Sequence, residues 1–499
     1  MDEVVTYLKS EKNDYLKSVQ NQSRNKFADK KTLFLFRKAA KLVPAYKDFL
    51  AKNKINPEKI KNISGFKKYV PFITKENYIL RYGLKERCWE GDLTKTHTFA
   101  ASSGSTGEPV FWPRDIKQEI EGAKIHELLL SKVFDVYNRN TLFINSFGLG
   151  NWIAGMYTEM SLYLARLHKV PFTLASPGYN QEETFKVIKS FSKYYDQTII
   201  ACHPPILKIM IENGKGEGIK WPDLNVRFLG AGEGFSENWR DYLLSLVGQT
   251  DFLRTIINIY GSAEAGLMGF ETPLSIALHR EASTNHELNK ALFNSDRTPF
   301  LYQFDPLIKY LEGSIRGEIV ITMNATSPLI RYNIHDHGGT IGNFDLLETV
   351  EKSSKNFLKR LKKVKINIDD FRFPFVFILG REQFMTSLYG VNIYPENIKA
   401  VLEHKLLQPH LTGRFITSKE IDERKDQYLL LRAELKPKVV KKREVENLTQ
   451  KLFVEILRKL NSEYNQVEQK YKGKMHPKVV LCKFQDSKYF PEGKIQKMA

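Results

Sequence analysis

Between about residues 50 and 340, short apolar runs alternate with stretches of helical character. Examples of the runs are Thr141-Leu142-Phe143-Ile144, Gln197-Thr198-Ile199-Ile200 and Val226-Arg227-Phe228-Leu229; Gln181 to Ser192 is one of the helical stretches. Runs this short, rich in β-branched and aromatic residues and separated by helix-length segments, are the pattern of parallel strands with helices on their faces. The chain is therefore expected to be α/β. Several runs end in Gly- or Pro-rich turns, namely Phe147-Gly148-Leu149-Gly150, Cys202-His203-Pro204-Pro205 and Gly230-Ala231-Gly232-Glu233. Open α/β sheets bind ligands beyond the ends of their strands, so a site is expected at these turns. Upstream, Phe36, Ala39, Ala40 and Val43 share a helical face that stops at Pro44 and resumes through Tyr46, Phe49 and Leu50, which predicts a helical N-terminal layer.

With 499 residues the chain is long enough for one large and one small domain. The charged, partly helical stretch 342–370 reads as an insertion or linker before the apolar strand Phe375-Val376-Phe377-Ile378-Leu379. The expected division is 1–379 and 380–499. The second part holds a helix from Pro395, strands around Arg414 to Thr417 and Tyr428 to Leu431, a helix with Val445, Leu448, Leu452 and Ile456 on one face, and a last strand at Val479-Val480-Leu481.

A formal net charge of +19 raises nucleic acid, an anionic surface or a phosphate-rich substrate as partners. Lysines are spread along most of the chain, however, and the dense run Lys359 to Lys365 lacks the interleaved aromatics of a single-strand binder. A solvated surface is the expectation, with no specific nucleic-acid site. No run of about 18 apolar residues is present, so no membrane span is expected. The acidic and then Lys-rich N-terminus is unlike a secretory signal, which leads to a cytoplasmic assignment. Cys88, Cys202 and Cys482 are too far apart for a disulfide framework or a zinc ribbon, and each is expected to be a small buried hydrophobe.

Four segments carry chemistry. The loop Ser102-Ser103-Gly104-Ser105-Thr106-Gly107 combines four hydroxyls with two glycines. Such a loop can turn backbone N–H groups toward phosphate oxygens, and Thr106 can reach a phosphate-bound Mg²⁺; a plain polar turn has the same composition. It is not a Walker loop, because Glu108 follows Gly107. In Asn258-Ile259-Tyr260-Gly261-Ser262-Ala263-Glu264 an apolar strand delivers an aromatic ring, a tight glycine and a carboxylate suited to Mg²⁺, or ends in a solvated glutamate. Within Arg331-Tyr332-Asn333-Ile334-His335-Asp336, Asp336 can accept bonds from two ribose hydroxyls; His335 and His337 lack a third metal ligand. The tail Gly493-Lys494 offers a cation, or is an ordinary basic terminus.

In order and spacing these segments, with Gly380-Arg381, resemble the adenylate-forming acyl-CoA synthetase/ligase superfamily over nearly the whole chain. Phe147 to Gly150, Gly230 to Glu233 and Gly390-Val391-Asn392-Ile393-Tyr394-Pro395 resemble its phenylacetate–CoA ligase-like branch. The resemblance implies a large N-terminal multi-layer α/β domain followed by a small mobile α+β C-terminal domain. It also implies a two-step reaction: a carboxylic acid attacks the α-phosphate of ATP to give an acyl-adenylate, and an acceptor thiol such as CoA then displaces AMP. By the same resemblance Ser102 to Gly107 hold the β- and γ-phosphates, and Glu264 binds Mg²⁺, with Thr106 as a second candidate ligand. Ala231, Asn258, Tyr260 and Gly261 line the adenine position, Asp336 with Arg381 holds the ribose, and Lys494 is catalytic, stabilising charge as oxygen attacks phosphorus. Phe147, Trp152, Met156 and Tyr157 fall near the carboxylate pocket; an aromatic wall suits an aryl or medium-sized apolar acid, and core packing suits the same residues.

The chain departs from the family pattern at four places. Glu108 stands where relatives carry lysine, His335 replaces the glycine before Asp336, Phe384 replaces the hinge aspartate, and Tyr389 replaces a basic residue. These changes bear on the second half-reaction more than on adenylation. The alternatives are a carrier, an amine or a hydroxyl as acceptor, as on a sugar in polysaccharide synthesis, and a degenerate, non-catalytic relative.

Overall fold

The computed structural model describes residues 2–10, 24–101, 110–151, 153–232, 234–354, 356–381, 386–388, 391–422, 427–440, 442–461, 464–465, 468–469 and 473–491. The chain divides into two compact units. The first collects Met1–Cys202, Leu224–Gly232 and Leu253–Leu379; the second collects His203–Asp223, Glu233–Phe252 and Gly380–Ala499.

The first unit is organised by an eleven-stranded sheet. In chain order its strands are β3 (Thr141–Asn145), β4 (Thr173–Ala175), β5 (Gln197–Cys202), β6 (Val226–Ala231), β7 (Ile256–Ser262), β8 (Gly266–Phe270), β9 (Phe300–Gln303), β10 (Tyr310–Gly313), β11 (Glu318–Met323), β12 (Leu329–Ile341) and β13 (Phe375–Arg381). A separate hairpin, β1 (Thr98–Ala101) with β2 (Phe111–Arg114), precedes them. Across the sheet the order is β10-β11-β12-β13-β9-β8-β7-β6-β5-β3-β4.

Pairing is parallel from β4 through β3, β5 and β6 to β7. Every residue of β3, β5 and β6 is buried, which is why these strands read as continuous apolar runs. The expectation of parallel strands holds only this far. From β7 to β8 the pairing is antiparallel, and β10 with β11, β11 with β12, and β13 with β9 are antiparallel too. For β7–β8, β10–β11 and β11–β12 the physical reason is the length of the connections. Only residues 263–265 separate β7 from β8, and a parallel return needs a crossover of about a dozen residues.

The N-terminal layer forms as the sequence indicates, with helices Arg24–Leu42 and Pro44–Lys52. Pro44 opens the second helix, where its missing N–H costs nothing. Phe36, Ala39 and Val43 join one core with Ile321, Ile330 and Tyr332 of the sheet. Arg331, the first residue of the Arg-Tyr segment, ties this layer down. Its guanidinium donates to the carbonyls of Phe66, Lys67 and Val70 at the end of helix Ile63–Tyr69 and to Glu312 Oε1 at 2.8 Å; those of Lys67 and Val70 are carbonyls that a helix end leaves open, while that of Phe66 also accepts from the Val70 N–H.

The stretch 342–370 is folded, with helices Asn343–Ser353 and Phe357–Lys363. Leu346, Val350, Phe357 and Leu361 are buried and the charges lie outside, so the partly helical stretch expected here is an amphipathic pair. The second unit has hairpin β14 (Thr386–Leu388) with β15 (Val391–Ile393) and a sheet of β16 (Leu411–Ile421), β17 (Gln427–Leu435) and β18 (Lys478–Cys482). Helices Pro395–Leu402 and Arg443–Leu460 share its core. Helix Pro204–Gly216 packs in this unit: buried Lys208 donates to the Leu411 carbonyl at 3.0 Å, and Tyr242 donates to Glu212 at 2.7 Å. The three cysteines are buried and unbridged. Among the described residues no helix is long and apolar enough to cross a membrane.

Candidate active site

The C-terminal ends of β6 and β7 lie side by side, with Gly230 opposite Asn258 and Ala231 opposite Ile259. This register sets Ala231, Asn258 and Tyr260 on neighbouring strands. Asn258 is fixed from two directions: its backbone N–H donates to Glu271 Oε2 at 2.7 Å and its amide Nδ2 to the Tyr302 hydroxyl at 3.1 Å. The Tyr302 ring also stacks on Tyr260, with centroids 5.7 Å apart and planes 23° from parallel. Tyr302 and Glu271 thus immobilise two predicted pocket residues, and no motif marks either of them.

Tyr260 donates through its hydroxyl to Asp336 Oδ2 at 2.7 Å, and both residues are more than nine-tenths buried. The fold therefore unites two segments 76 residues apart in sequence. A hydrogen bond to a carboxylate in such surroundings holds the second carboxylate oxygen in a defined direction.

Asp336 lies in an irregular part of β12. Glu318 faces His337 while Val320 faces Asn333, so the register slips between these pairs and β12 carries a bulge. His335 sits in that bulge at φ 59°, in the left-handed region where glycine is strain-free. The histidine is held there by polar contacts. Its N–H donates to Asn333 Oδ1 at 2.9 Å, its Nδ1 lies 2.9 Å from Glu318 Oε1, Asn333 Nδ2 donates to Glu318 Oε2 at 2.8 Å, and Nε2 lies 3.8 Å from Glu76. Beyond Asp336, a Cβ on Gly338 would lie 1.9 Å from the Phe377 carbonyl oxygen, so only glycine fits.

The β7–β8 turn displays Glu264. A Cβ at Gly261 would lie 2.7 Å from the Gly266 carbonyl oxygen, which explains the glycine after Tyr260. Glu264 is half-buried and its carboxylate makes no hydrogen bond or ion pair with a described residue. Among the described residues no cluster of three or more ligands gathers to hold a metal. One available carboxylate suits Mg²⁺, which keeps several waters and takes further oxygens from phosphates.

Of the predicted acid-pocket residues, Met156 is half-buried and packs with Ile153 and Ala263 against the core that contains Tyr260. Tyr157 is buried below the β7–β8 turn, with the Arg114 guanidinium 4.7 Å above its ring; a Cβ on Gly266 would lie 3.0 Å from it. Phe147 is fully buried just beyond β3, which β5 separates from β6. Ser102, Ser103, Gly104, Ser105, Thr106, Gly107, Trp152, Lys494 and the Arg381 side chain lie outside the described residues. The described strands flanking the loop are in antiparallel register, Ala101 opposite Phe111, and Ala101 N–H donates to the Asn151 carbonyl at 2.8 Å.

No protein-family model matches the chain, and no curated protein does. Solved structures match it. A 2-hydroxyisobutyryl-CoA ligase in its postadenylation state, in complex with R3-HIB-AMP, superposes with a TM-score of 0.65 at 13% identity, over 95% of this chain and 89% of that one. The same ligase with 2-HIB-AMP gives a TM-score of 0.59 at 14% identity, covering 95% and 87%. In its thioesterification state, with 2-HIB-AMP and CoA, it gives 0.53 at 15%, covering 95% and 88%. The chain shares the fold of these ligases along nearly its whole length.

Proposed function

We propose that this chain activates a carboxylic acid with ATP as an acyl-adenylate and passes the acyl group to a thiol such as CoA. The observation that carries this reading is the buried Tyr260–Asp336 pair at the strand ends, in the fold of ligases solved with acyl-AMP and CoA. In the first step a carboxylate oxygen of the acid bonds to the α-phosphorus and the bond to pyrophosphate breaks. In the second the thiol sulfur attacks the acyl carbon and AMP leaves.

In this proposal Asp336, oriented by Tyr260, accepts hydrogen bonds from the ribose hydroxyls, assisted by Arg381. Ala231, Asn258 and the Tyr260–Gly261 edge contact the adenine. Residues Ser102 to Gly107 hold the phosphates through hydroxyls and backbone N–H groups. Glu264, with Thr106, would hold Mg²⁺, which when bound neutralises phosphate charge. Lys494 supplies a cation between the acid and the α-phosphate, where negative charge develops. Met156 and Ile153 border the acid position, which favours an apolar acid, in keeping with the resemblance to phenylacetate–CoA ligases.

The test is acid-dependent pyrophosphate release with hydroxamate trapping over a panel of carboxylic acids, for the native chain, Lys494→Ala and Glu264→Gln. Both variants are expected to lose at least about 100-fold in adenylation rate. No acid-dependent signal from any acid with the native protein refutes the activity. An undiminished rate in Lys494→Ala refutes the role of the tail. Adding CoA to preformed adenylate then reads the second step directly.

A further inference from the structure

Arg87 lies in the turn that follows the helical N-terminal layer. Only 5% of the residue is exposed, and neither Nε nor Nη1 has a hydrogen-bond partner. The groups that act on its charge are Tyr78, Cys88 and Tyr332, none of them a carboxylate. Burial raises the Tyr78 phenol and pushes the Cys88 thiol up to about 11, so both are neutral around pH 7. Asp48, on the neighbouring helix Pro44–Lys52, is committed to Lys52 at 2.6 Å and to the Tyr82 hydroxyl at 2.7 Å.

An arginine cannot escape burial by losing its proton, and a buried charge with no counter-charge is costly. The surroundings add donors. The hydroxyl of Tyr78, whose phenol lies near the Arg87 charge, is buried without a partner. The start of helix Pro44–Lys52 abuts the same turn: Ala45 N–H donates to the Glu86 carbonyl at 3.0 Å, and Val43 provides no side-chain cap. A guanidinium fork, the Tyr78 phenol and the positive end of a helix dipole call for an acceptor that also carries negative charge. Water would satisfy the donors but leave the charge unbalanced.

We propose that Arg87, with Tyr78, forms an internal site for one small oxyanion, a carboxylate or a phosphate group. The edge of the guanidinium that carries Nε and Nη2 matches two oxygens of either group. The 5% residual exposure of Arg87 limits the site to a free small ion or the terminal group of a slender molecule.

The experiment is thermal unfolding of the full chain in chloride buffer at constant ionic strength, titrated separately with inorganic phosphate and with acetate. A saturable rise in Tm is expected with one of them, and the one that saturates at lower concentration identifies the source. Arg87→Met is expected to abolish the rise while unfolding, in chloride alone, no lower than the native protein. Arg87→Lys, which keeps the charge but loses the fork, is expected to raise the half-saturating concentration about tenfold. Should Arg87→Met fail to fold, Tyr78→Phe tests the same site by removing one donor, with an expected several-fold increase in that concentration. Flat titrations with both anions overturn the proposal. So does a rise that survives Arg87→Met, or survives Tyr78→Phe with the half-saturating concentration unchanged.

Discussion

His335 offers a graded test of how the backbone at Asp336 is held. It stands at φ 59° in a bulge, where a side chain costs about 1–2 kcal/mol relative to glycine. Against that, its Nδ1 contact with Glu318 is worth only about 0.5 kcal/mol, because the histidine side chain is 41% exposed. The bond from its backbone N–H to Asn333 survives any substitution except proline. His335→Gly therefore removes the strain, loses the contact and adds about 0.5–1 kcal/mol of chain entropy, so its net effect is near zero. His335→Asn is also near neutral, because asparagine tolerates this region. His335→Ala keeps the strain and loses the contact, a destabilisation of about 0.5 kcal/mol. His335→Val adds β-branching and reaches about 2 kcal/mol.

Urea unfolding of the four variants gives the order directly, and the KM for ATP is expected to follow the same order, because Asp336 is the next residue. If His335→Gly destabilises as much as His335→Val, the left-handed backbone is not what governs this position. If stability follows the order but the KM for ATP stays constant, the bulge matters for folding and Asp336 does not serve the nucleotide.

Other substitutions probe neighbouring links. Tyr260→Phe removes one donor from the buried Asp336 carboxylate; the expected loss is about 1.5–3 kcal/mol of stability, with the KM for ATP raised about tenfold and kcat changed less, and unchanged ATP kinetics would contradict the assignment. Gly338→Ala places a methyl group against the Phe377 carbonyl and is expected to yield no soluble folded protein, so a native-like Tm would show that β12 and β13 can separate. Lys309 is buried beside Glu121, and desolvation lowers it from 10.5 to about 8. Between those values the unfolded chain keeps a proton the folded chain has released, so this group's contribution to stability rises with pH from about 8 upward. The native protein minus Lys309→Met is expected to show that rise, on the order of 1–3 kcal/mol, in unfolding measured from pH 7 to 10.

The parallel half of the sheet was legible because burial on both faces leaves its mark on consecutive residues: Thr141 to Ile144, Gln197 to Ile200 and Val226 to Leu229 all lie within strands, bounded by the turns that name them. The antiparallel half left no such mark. β12 runs from Leu329 to Ile341, yet His335, Asp336, His337, Gly338 and Gly339 read locally as a polar loop. What keeps them extended is the partner strand, through the bulge at His335 opposite Glu318 and the close approach of Phe377 to Gly338, and both partners are distant in sequence. Tyr302 was missed for the same reason. Its value lies in meeting Asn258 and Tyr260 across strands, while in sequence it is one aromatic in a short apolar run. Arg331 shows the converse: it belongs to a recognisable segment, but its bonds go to helix carbonyls more than 250 residues away, so motif membership identified the residue without its role. Local pattern thus reported which residues are buried, and motif order reported which strand ends to compare. Direction, register and the partners that fix Asp336 are long-range quantities, so mutating the partners Tyr260, Tyr302 and Phe377 is as direct a test of the site as mutating the motif itself.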